Sequence, residues 1–409
     1  MKRICPEETC TGCFACASAC HHDAISMKED GLGALHPIVD ENLCVNCDLC
    51  IRVCPNNTDM EFHYPLECYA SWITDKEKRK ICASGGIGTI MSEYAIGQGG
   101  VVFGSRYDEN IEPTMAYTET AEGLEHFKGS RYVQSKVGST TFNDVKKFLS
   151  AGRKVLFVGT PCQVAGLKTY LHRDYSSLVT VDLICHGVCP ACYLKEETSF
   201  LSKKYGLKDI ADIRFRGNDG NNFKMSLWDK ERKELFPNDT SWEKLTKAKE
   251  GEQFYLAGFL MGVTLRENCY SCRYARPERI SDITIGDFIG IGKVSPFNHP
   301  RENVSVVTAN TQRGADFYAA VSKASQGLVN IKRDYRERLL YRPSLMEPFP
   351  RHKLNAVFRE NYKRLGFAAG IRKTLKNKMR IRRLELILRM SLIPLVIIKH
   401  WLMRLKPKP

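Results

Sequence analysis

The chain has 409 residues, 43% hydrophobic and 26% charged, a globular composition long enough for two or three domains. That excludes a disordered or collagen-like chain, and 17 cysteines over this length are too dilute for a small disulfide-stapled scaffold. The net charge of +15 lies entirely in residues 351–409, which carry 17 Lys and Arg against Glu360 and Glu385, so the body is neutral and no nucleic-acid partner is expected. No stretch approaches the ~18 uncharged apolar residues of a spanning helix. The opening Met1-Lys2-Arg3-Ile4-Cys5 lacks the apolar run of a secretory signal, so a cytoplasmic location is expected. Cysteines at this density in that compartment point to metal or redox chemistry.

Nine of the cysteines fall in the first 54 residues. Cys10, Cys13, Cys16 and Cys20 are followed by Cys44, Cys47, Cys50 and Cys54-Pro55, each run spaced by two, two and three residues. This is the spacing of a two-cluster bacterial ferredoxin, in which the fourth cysteine of each run serves the other cluster. Cys10, Cys13, Cys16 and Cys54 are therefore assigned to one 4Fe–4S cluster, and Cys44, Cys47, Cys50 and Cys20 to the second. Zinc would use separated ligand pairs instead. His21 stands after Cys20 where such runs usually have proline, and Cys5 is read as an ordinary small apolar residue. A domain over 1–60 this small needs its metal to hold it together.

From residue 66 strand and helix signals alternate. Strands are expected at Gly100–Gly104, Lys154–Val158, Leu178–Cys185, Ile210–Arg216, Asp282–Ile291 and Val304–Ala309, with helices at Phe142–Leu149, from Pro161, at Tyr193–Tyr205 and near Ala315–Ser325. The alternation predicts a mixed, largely parallel α/β body. Ser84-Gly85-Gly86 precedes a helical pattern, a ready phosphate site at a helix N-terminus. Gly129-Ser130-Arg131-Tyr132-Val133-Gln134-Ser135 is a polar strip suited to a pyrophosphate or a flavin edge. Gly159-Thr160-Pro161-Cys162-Gln163 follows a buried strand and opens a helix. Singly, each of these is equally explained by turn and capping chemistry. Cys162 and Cys185 both belong at the carboxyl edge of a parallel sheet, where such proteins place their sites. With Cys269 and Cys272 they make a set of four for a third cluster; Cys189 and Cys192 with the same pair make a zinc site; buried free thiols are the third option. Spacing alone leaves these open.

These motifs, with Asp182-Leu183-Ile184-Cys185-His186-Gly187 and the stretch Asp282 to Phe288, resemble the beta-subunit family of coenzyme F420 hydrogenases and dehydrogenases with a bicluster ferredoxin fused in front. The resemblance runs over about residues 1–345 and implies a family N-terminal domain at 66–148 and a C-terminal domain at 149–345. It implies a flavoprotein that binds FAD beside a 4Fe–4S cluster. Ser84, Gly85, Gly86, Ser130, Arg131, Tyr132, Gln134, Ser135 and Thr160 are then the FAD contacts, and Cys162, Cys185, Cys269 and Cys272 the third cluster's ligands. The activity implied is an oxidoreductase that passes electrons from a redox partner protein to a small organic acceptor, a deazaflavin coenzyme or another conjugated substrate. The fused form is similar to versions found beside bacterial surface-polysaccharide genes. His186 is the candidate proton donor, and Arg276 and Arg279 are candidates to hold an anionic substrate. The alternative is an electron-transfer subunit with no substrate of its own.

The tail at 351–409 reads as a basic amphipathic appendage. Lys373 to Arg383 is dense in Lys and Arg, and Leu384 to Leu405 is mostly apolar with Trp401 near its end. That order suits a helix lying on an anionic membrane surface, so peripheral attachment at the inner face is expected.

Overall fold

The computed structural model describes residues 2–216, 223–237, 252–341 and 343–404, apart from the side chains of 343, 382, 383 and 385–404. The two cysteine runs fold as a repeat. Each carries two non-helical left-handed residues beside its second cysteine, Gly12 and Phe14 in the first, Asn46 and Asp48 in the second. Each then enters a short helix, Ala15–Ala19 or Leu49–Arg52, which carries the third cysteine. Between them β1 (Ile25–Glu29) and β2 (Leu35–Val39) form an antiparallel hairpin. Its turn is closed by the Asp30 carboxylate, which accepts from Leu32 and Ala34 backbone N–H at 2.8 and 2.9 Å.

The body is built on one eight-stranded sheet, with order β13-β3-β12-β11-β7-β6-β4-β5. Its strands are β3 (Glu67–Ile73), β4 (Val101–Tyr107), β5 (Pro113–Thr118), β6 (Val155–Gly159), β7 (Leu178–Leu183), β11 (Ile283–Asp287), β12 (Ser305–Ala309) and β13 (Leu328–Lys332). The four central strands, β11, β7, β6 and β4, run parallel; the flanking ones pair antiparallel. A separate antiparallel sheet holds β8 (Asp212–Arg216), β9 (Phe223–Trp228) and β10 (Glu234–Phe236). Where a strand is expected over Asp282–Ile291, β11 stops at Asp287, because Gly290 and Gly292 turn the chain at positive φ.

Both faces of the sheet are covered by helices. Ile87–Gly97 and Gln312–Ala324 bury Ile87, Met91 and Val321 against Leu156 and Val307 on one face. On the other, Thr141–Ser150 and Pro161–Leu171 bury Phe142 and Val164 against Phe103 and Phe157. Phe14, Ala15 and Val53 of the cysteine-rich domain are fully part of that second core, so this domain is seated on the helices rather than tethered. The seating is close: a Cβ on Gly166 would lie 2.9 Å from the Cys13 Cβ and 3.0 Å from its Sγ.

The first part of the tail packs on the body. A long helix runs Asn355–Arg404, broken at Gly366, whose φ of 71° and ψ of −179° are not helical. Phe358, Phe367, Ile371, Leu375 and Met379 lie buried in the core under the small sheet. Phe367 N–H donates to the Glu196 carboxylate at 2.5 Å, and Arg372 grips the fully buried Glu197 carboxylate at 2.7 and 2.8 Å. Over 358–379 the apolar stripe of this helix packs on the body. The side chains of the apolar stretch from 385, including Trp401, and residue 405 itself lie outside the described residues. No helix among the described residues is long and apolar enough to cross a membrane.

Candidate functional site

Parallel strands send their following loops to one edge, and there the sheet opens into a cavity of about 350 Å³. Ser105 at the end of β4, Gly159 to Gln163 after β6, Ile184 to Gly187 after β7, and Gly286 and Asp287 of β11 all line it. The turn after β6 is fixed by a capping box: the Thr160 hydroxyl and the Gln163 side chain satisfy each other's backbone N–H groups, with Pro161 opening the helix. Gln163 also donates to Ser135 O at 3.1 Å, tying the polar strip to this turn. Ser105 and Ser135 share a hydroxyl–hydroxyl bond of 2.5 Å. Tyr132 stacks on Phe259 at 4.9 Å and on Phe215 at 5.1 Å.

Ser84, Ser130, Arg131, Tyr132, Gln134, Ser135 and Thr160 all line the cavity. Gly85 and Gly86 lie behind it and shape the turn. A Cβ at Gly85 would meet Ser71 O at 2.4 Å, and Gly86 has a φ of 84° at the N-terminus of helix Ile87–Gly97. The residues present fit a polar ligand with phosphates. Ser84 Oγ and Arg131 Nε are buried beside the cavity with no hydrogen-bond partner among the described residues, as are Asn268 Oδ1 and Tyr274 OH. The other Arg131 nitrogens are committed to the carbonyls of His126, Lys128 and Gly129.

Cys162, Cys185, Cys269 and Cys272 line the same cavity. Burial pushes each thiol up, Cys269 to about 12 and Cys272 to about 11; Cys185 is raised further by Cys269, Cys162 and Cys272, Cys269 by Cys272 and Cys162, and Cys272 by Cys162. Four thiols packed this way resist ionising together unless a cationic group joins them. Cys189 and Cys192 turn elsewhere. Cys189 Sγ meets Thr264 Oγ1 at 3.1 Å, and Cys192 Sγ lies 3.8 Å from Gly33 O and 3.9 Å from Tyr362 OH. Among the described residues no group of three or more Cys, His, Asp or Glu converges on a single metal ion. The thiols line cavities and do not point at one atom.

A second, smaller cavity of about 20 Å³ lies inside the cysteine-rich domain, lined by Cys10, Cys13, Cys16 and Cys54, and also by Cys5. The last cysteine of the second run thus stands with the first three of the first. In the other set, Cys44 and Cys50 are electrostatic neighbours, Cys20 and Cys44 are half-buried, and Cys47 is exposed.

The remaining candidates divide. His186 lines the large cavity, with Nε2 3.0 Å from Phe259 O and its ring 4.0 Å from that of Phe349. Arg279 borders it too, but its buried guanidinium donates to Asp182 at 3.1 Å, to Thr284 and to the carbonyls of Tyr274, Arg276 and Leu183. It braces β7 against β11. Arg276 pairs with Glu278 at 2.9 Å, sits 4.4 Å over Phe62 and does not line the cavity.

The residue that sequence reasoning missed is Arg266. Its buried guanidinium donates to Thr11 O at 2.6 Å and to Cys10 O and Leu35 O at 3.2 Å, and its charge acts on Cys162 and Cys269. It is a fixed cation between the cysteine-rich domain and the middle thiols. Nothing in the sequence marks it apart from its place three residues before Cys269.

Residues 152–332 match the C-terminal region of the beta subunit of coenzyme F420 hydrogenase/dehydrogenase, and residues 9–58 match the 4Fe–4S dicluster domain. Residues 152–332 thus resemble that beta-subunit family, behind a dicluster domain. With the dicluster domain in front, the chain is an iron–sulfur electron-transfer oxidoreductase. Among solved structures it is similar to a chain of the xenon-derivatised F420-reducing [NiFe] hydrogenase complex from Methanosarcina barkeri. The two are 17% identical, with a TM-score of 0.44, over 78% of this chain and 95% of that one. No curated protein sequence matches.

Proposed function

We propose that this protein is a beta-subunit-family, FAD-dependent iron–sulfur oxidoreductase. It takes single electrons from a redox partner protein at its N-terminal clusters and delivers them to a small organic acceptor. One observation carries the reading: a single cavity is lined by Ser84 and the polar strip, with unpartnered atoms on Ser84 and Arg131 among the described residues, and by the four thiols of Cys162, Cys185, Cys269 and Cys272. The thiols would hold a third 4Fe–4S cluster, and the strip, with the N-terminus of helix Ile87–Gly97, would hold the FAD phosphates. FAD bound there supplies the conversion between one-electron and two-electron chemistry.

The chain's own residues do the rest. Cys10, Cys13, Cys16 and Cys54 hold the inner N-terminal cluster against helix Pro161–Leu171, and Arg266 bridges from it to the middle thiols. Cys20, Cys44, Cys47 and Cys50 hold the outer one, where Cys47 with the exposed Leu43 and Val45 offers a face for the donor protein. His186, held by Phe259 O, is placed to move a proton at the cavity. Arg279 acts on the acceptor only by fixing the cavity wall, and Arg276 stands outside it. The acceptor is a deazaflavin coenzyme or another conjugated small molecule. Peripheral attachment through the basic tail would keep the enzyme near a membrane surface. In the second reading the exposed outer face makes the chain a carrier that serves a partner enzyme and has no acceptor of its own.

Anaerobic purification tests the proposal. Three clusters' worth of iron and sulfide, and a flavin spectrum that bleaches on reduction, are expected. Two clusters and no FAD uptake on addition would overturn it. Turnover of a small acceptor by the reduced chain alone separates enzyme from carrier.

A further inference from the structure

Five thiols line the cavity of the inner N-terminal cluster, and a 4Fe–4S cube takes four. The fifth, Cys5, precedes the segment that matches the dicluster domain, which begins at residue 9. It is not loose chain. Ile4 is buried against Cys16, Val39, Cys50 and Cys54. The Asn57 side chain donates to Ile4 O at 2.9 Å, while Asn56 Nδ2 donates to Thr9 O at 3.0 Å and lies 3.7 Å from Cys5 Sγ. Both asparagines directly follow Cys54-Pro55, so the segment that carries the fourth ligand also anchors Cys5. Cys5 lines one small cavity with Cys10 and Cys54, lies close enough to both for their thiols to act on one another, and packs on the buried cluster of Cys16 and Cys54.

We propose that Cys5 is a reserve ligand of the inner N-terminal cluster, held as a thiol against Cys10 and Cys54 and able to take the iron site of either. The exchange moves no electrons. The Cys5 S–H gives its proton to solvent and its sulfur bonds the iron; the iron bond to the departing cysteine breaks, and that sulfur leaves as a thiolate and takes up a proton. Asn56 keeps the Cys5 sulfur beside the ligand it would replace, so the exchange needs a side-chain rotation and no refolding of the loop. The arrangement protects the cluster whose loss would cut the outer cluster off from the large cavity. The inference rests on the assignment of Cys10, Cys13, Cys16 and Cys54 to one cluster.

The test uses the full chain, purified anaerobically, with iron content and the low-temperature EPR spectrum of the reduced clusters as readouts. Cys5→Ala alone keeps the iron of the unmodified chain. Cys54→Ala keeps it as well, with an altered EPR signal, whereas Cys5→Ala/Cys54→Ala loses one cluster's worth. Cys13→Ala is the control, because the thiols that act on Cys13 are Cys10 and Cys162: it loses a cluster whether or not Cys5 is present, and if it does not, the ligand assignment itself fails. Loss of a cluster in Cys54→Ala with Cys5 intact overturns the proposal. If that variant does not fold by circular dichroism, hydrogen peroxide added to the otherwise unmodified chain decides. Iron is then released several-fold faster from Cys5→Ala than from the unmodified chain, and equal rates overturn the idea.

Discussion

The two thiol neighbourhoods that face each other across Arg266 are built in opposite ways. The N-terminal set comes from short runs in which each cysteine is two or three residues from the next, wrapped by left-handed residues such as Phe14 and Asp48. The middle set comes from three places far apart in the chain: the turn after β6, the end of β7, and a short turn over Glu267–Ser271. The first set is made by local backbone geometry and depends on its metal for stability. The second is assembled by the sheet, so its geometry exists before any metal arrives. The contrast bears on robustness: losing metal should unfold the first and merely empty the second.

The sharpest break between the two is a ligand substitution in each. Cys185→Ala is expected to remove one cluster's worth of iron and leave the EPR signals of the N-terminal pair unchanged, with little effect on thermal stability. Cys13→Ala should remove an N-terminal cluster and lower the melting temperature as well, because that domain has no sufficient core of its own. Equal stability losses in the two variants would mean that the middle thiols also depend on metal for their fold.

Arg266→Met attacks the bridge. Three backbone carbonyls lose their donor in a buried place, at a cost of about 2–4 kcal/mol in chemical denaturation. Removing a fixed cation also makes nearby thiolate clusters harder to reduce, so an EPR-monitored redox titration should show a lower potential, with Arg266→Lys intermediate. A stability loss with unchanged potentials would leave Arg266 with docking alone. Gly166→Ala probes the same seam by sterics. Its methyl group would press on Cys13, and the overpacking should cost about 1–3 kcal/mol, read by denaturation of the full chain.

Ser84→Ala touches only the proposed flavin side of the cavity. Loss of one hydrogen bond is worth about 1 kcal/mol, or about fivefold in the Kd for FAD. Iron content should not change. The smallest effect is expected at Glu267, which pairs with Arg351 and Arg359 beside the Cys269 turn. Burial raises its carboxyl, but the two guanidinium groups outweigh this and hold it below the usual carboxylate range. Its contribution is therefore present above the unfolded pKa of about 4.3 and fades as pH falls through the lower folded value. Glu267→Gln should cost under about 1 kcal/mol at neutral pH, because the pair is partly exposed and screened. The cost should disappear once pH falls below the folded value.

The cysteine spacing made the dicluster domain legible, because a ligand run of two, two and three residues leaves its metal little choice. Strong local signals also placed most central elements: Val155–Gly159, Pro161–Leu171 and Ser305–Ala309 lie within a residue or so of expectation. Weaker ones were lost. The edge strand Leu328–Lys332 has no fully buried residue, and hence no clear apolar run, while Glu67–Ile73 mixes Cys, Tyr, Ser and Trp. The tail was legible only in part. Its basic composition is plain, but Phe367, Ile371 and Leu375 recur at helical spacing among Lys and Arg, and a stripe of that kind fits a membrane surface and a protein core equally well. Only the groove beside helix Ala191–Tyr205 decided, with Glu196 and Glu197 there to receive Phe367 N–H and Arg372. The same holds for the thiols. Spacing could not separate Cys162 and Cys185 from Cys189 and Cys192, since all four follow sheet strands. Cys162 and Cys185 sit in the turns at the sheet's carboxyl edge and face the cavity, whereas Cys189 and Cys192 lie further along and pack on Thr264 and Gly33. Sequence records which chemistry a residue can do; which residues meet is set by the parallel strands that bring distant turns to one edge.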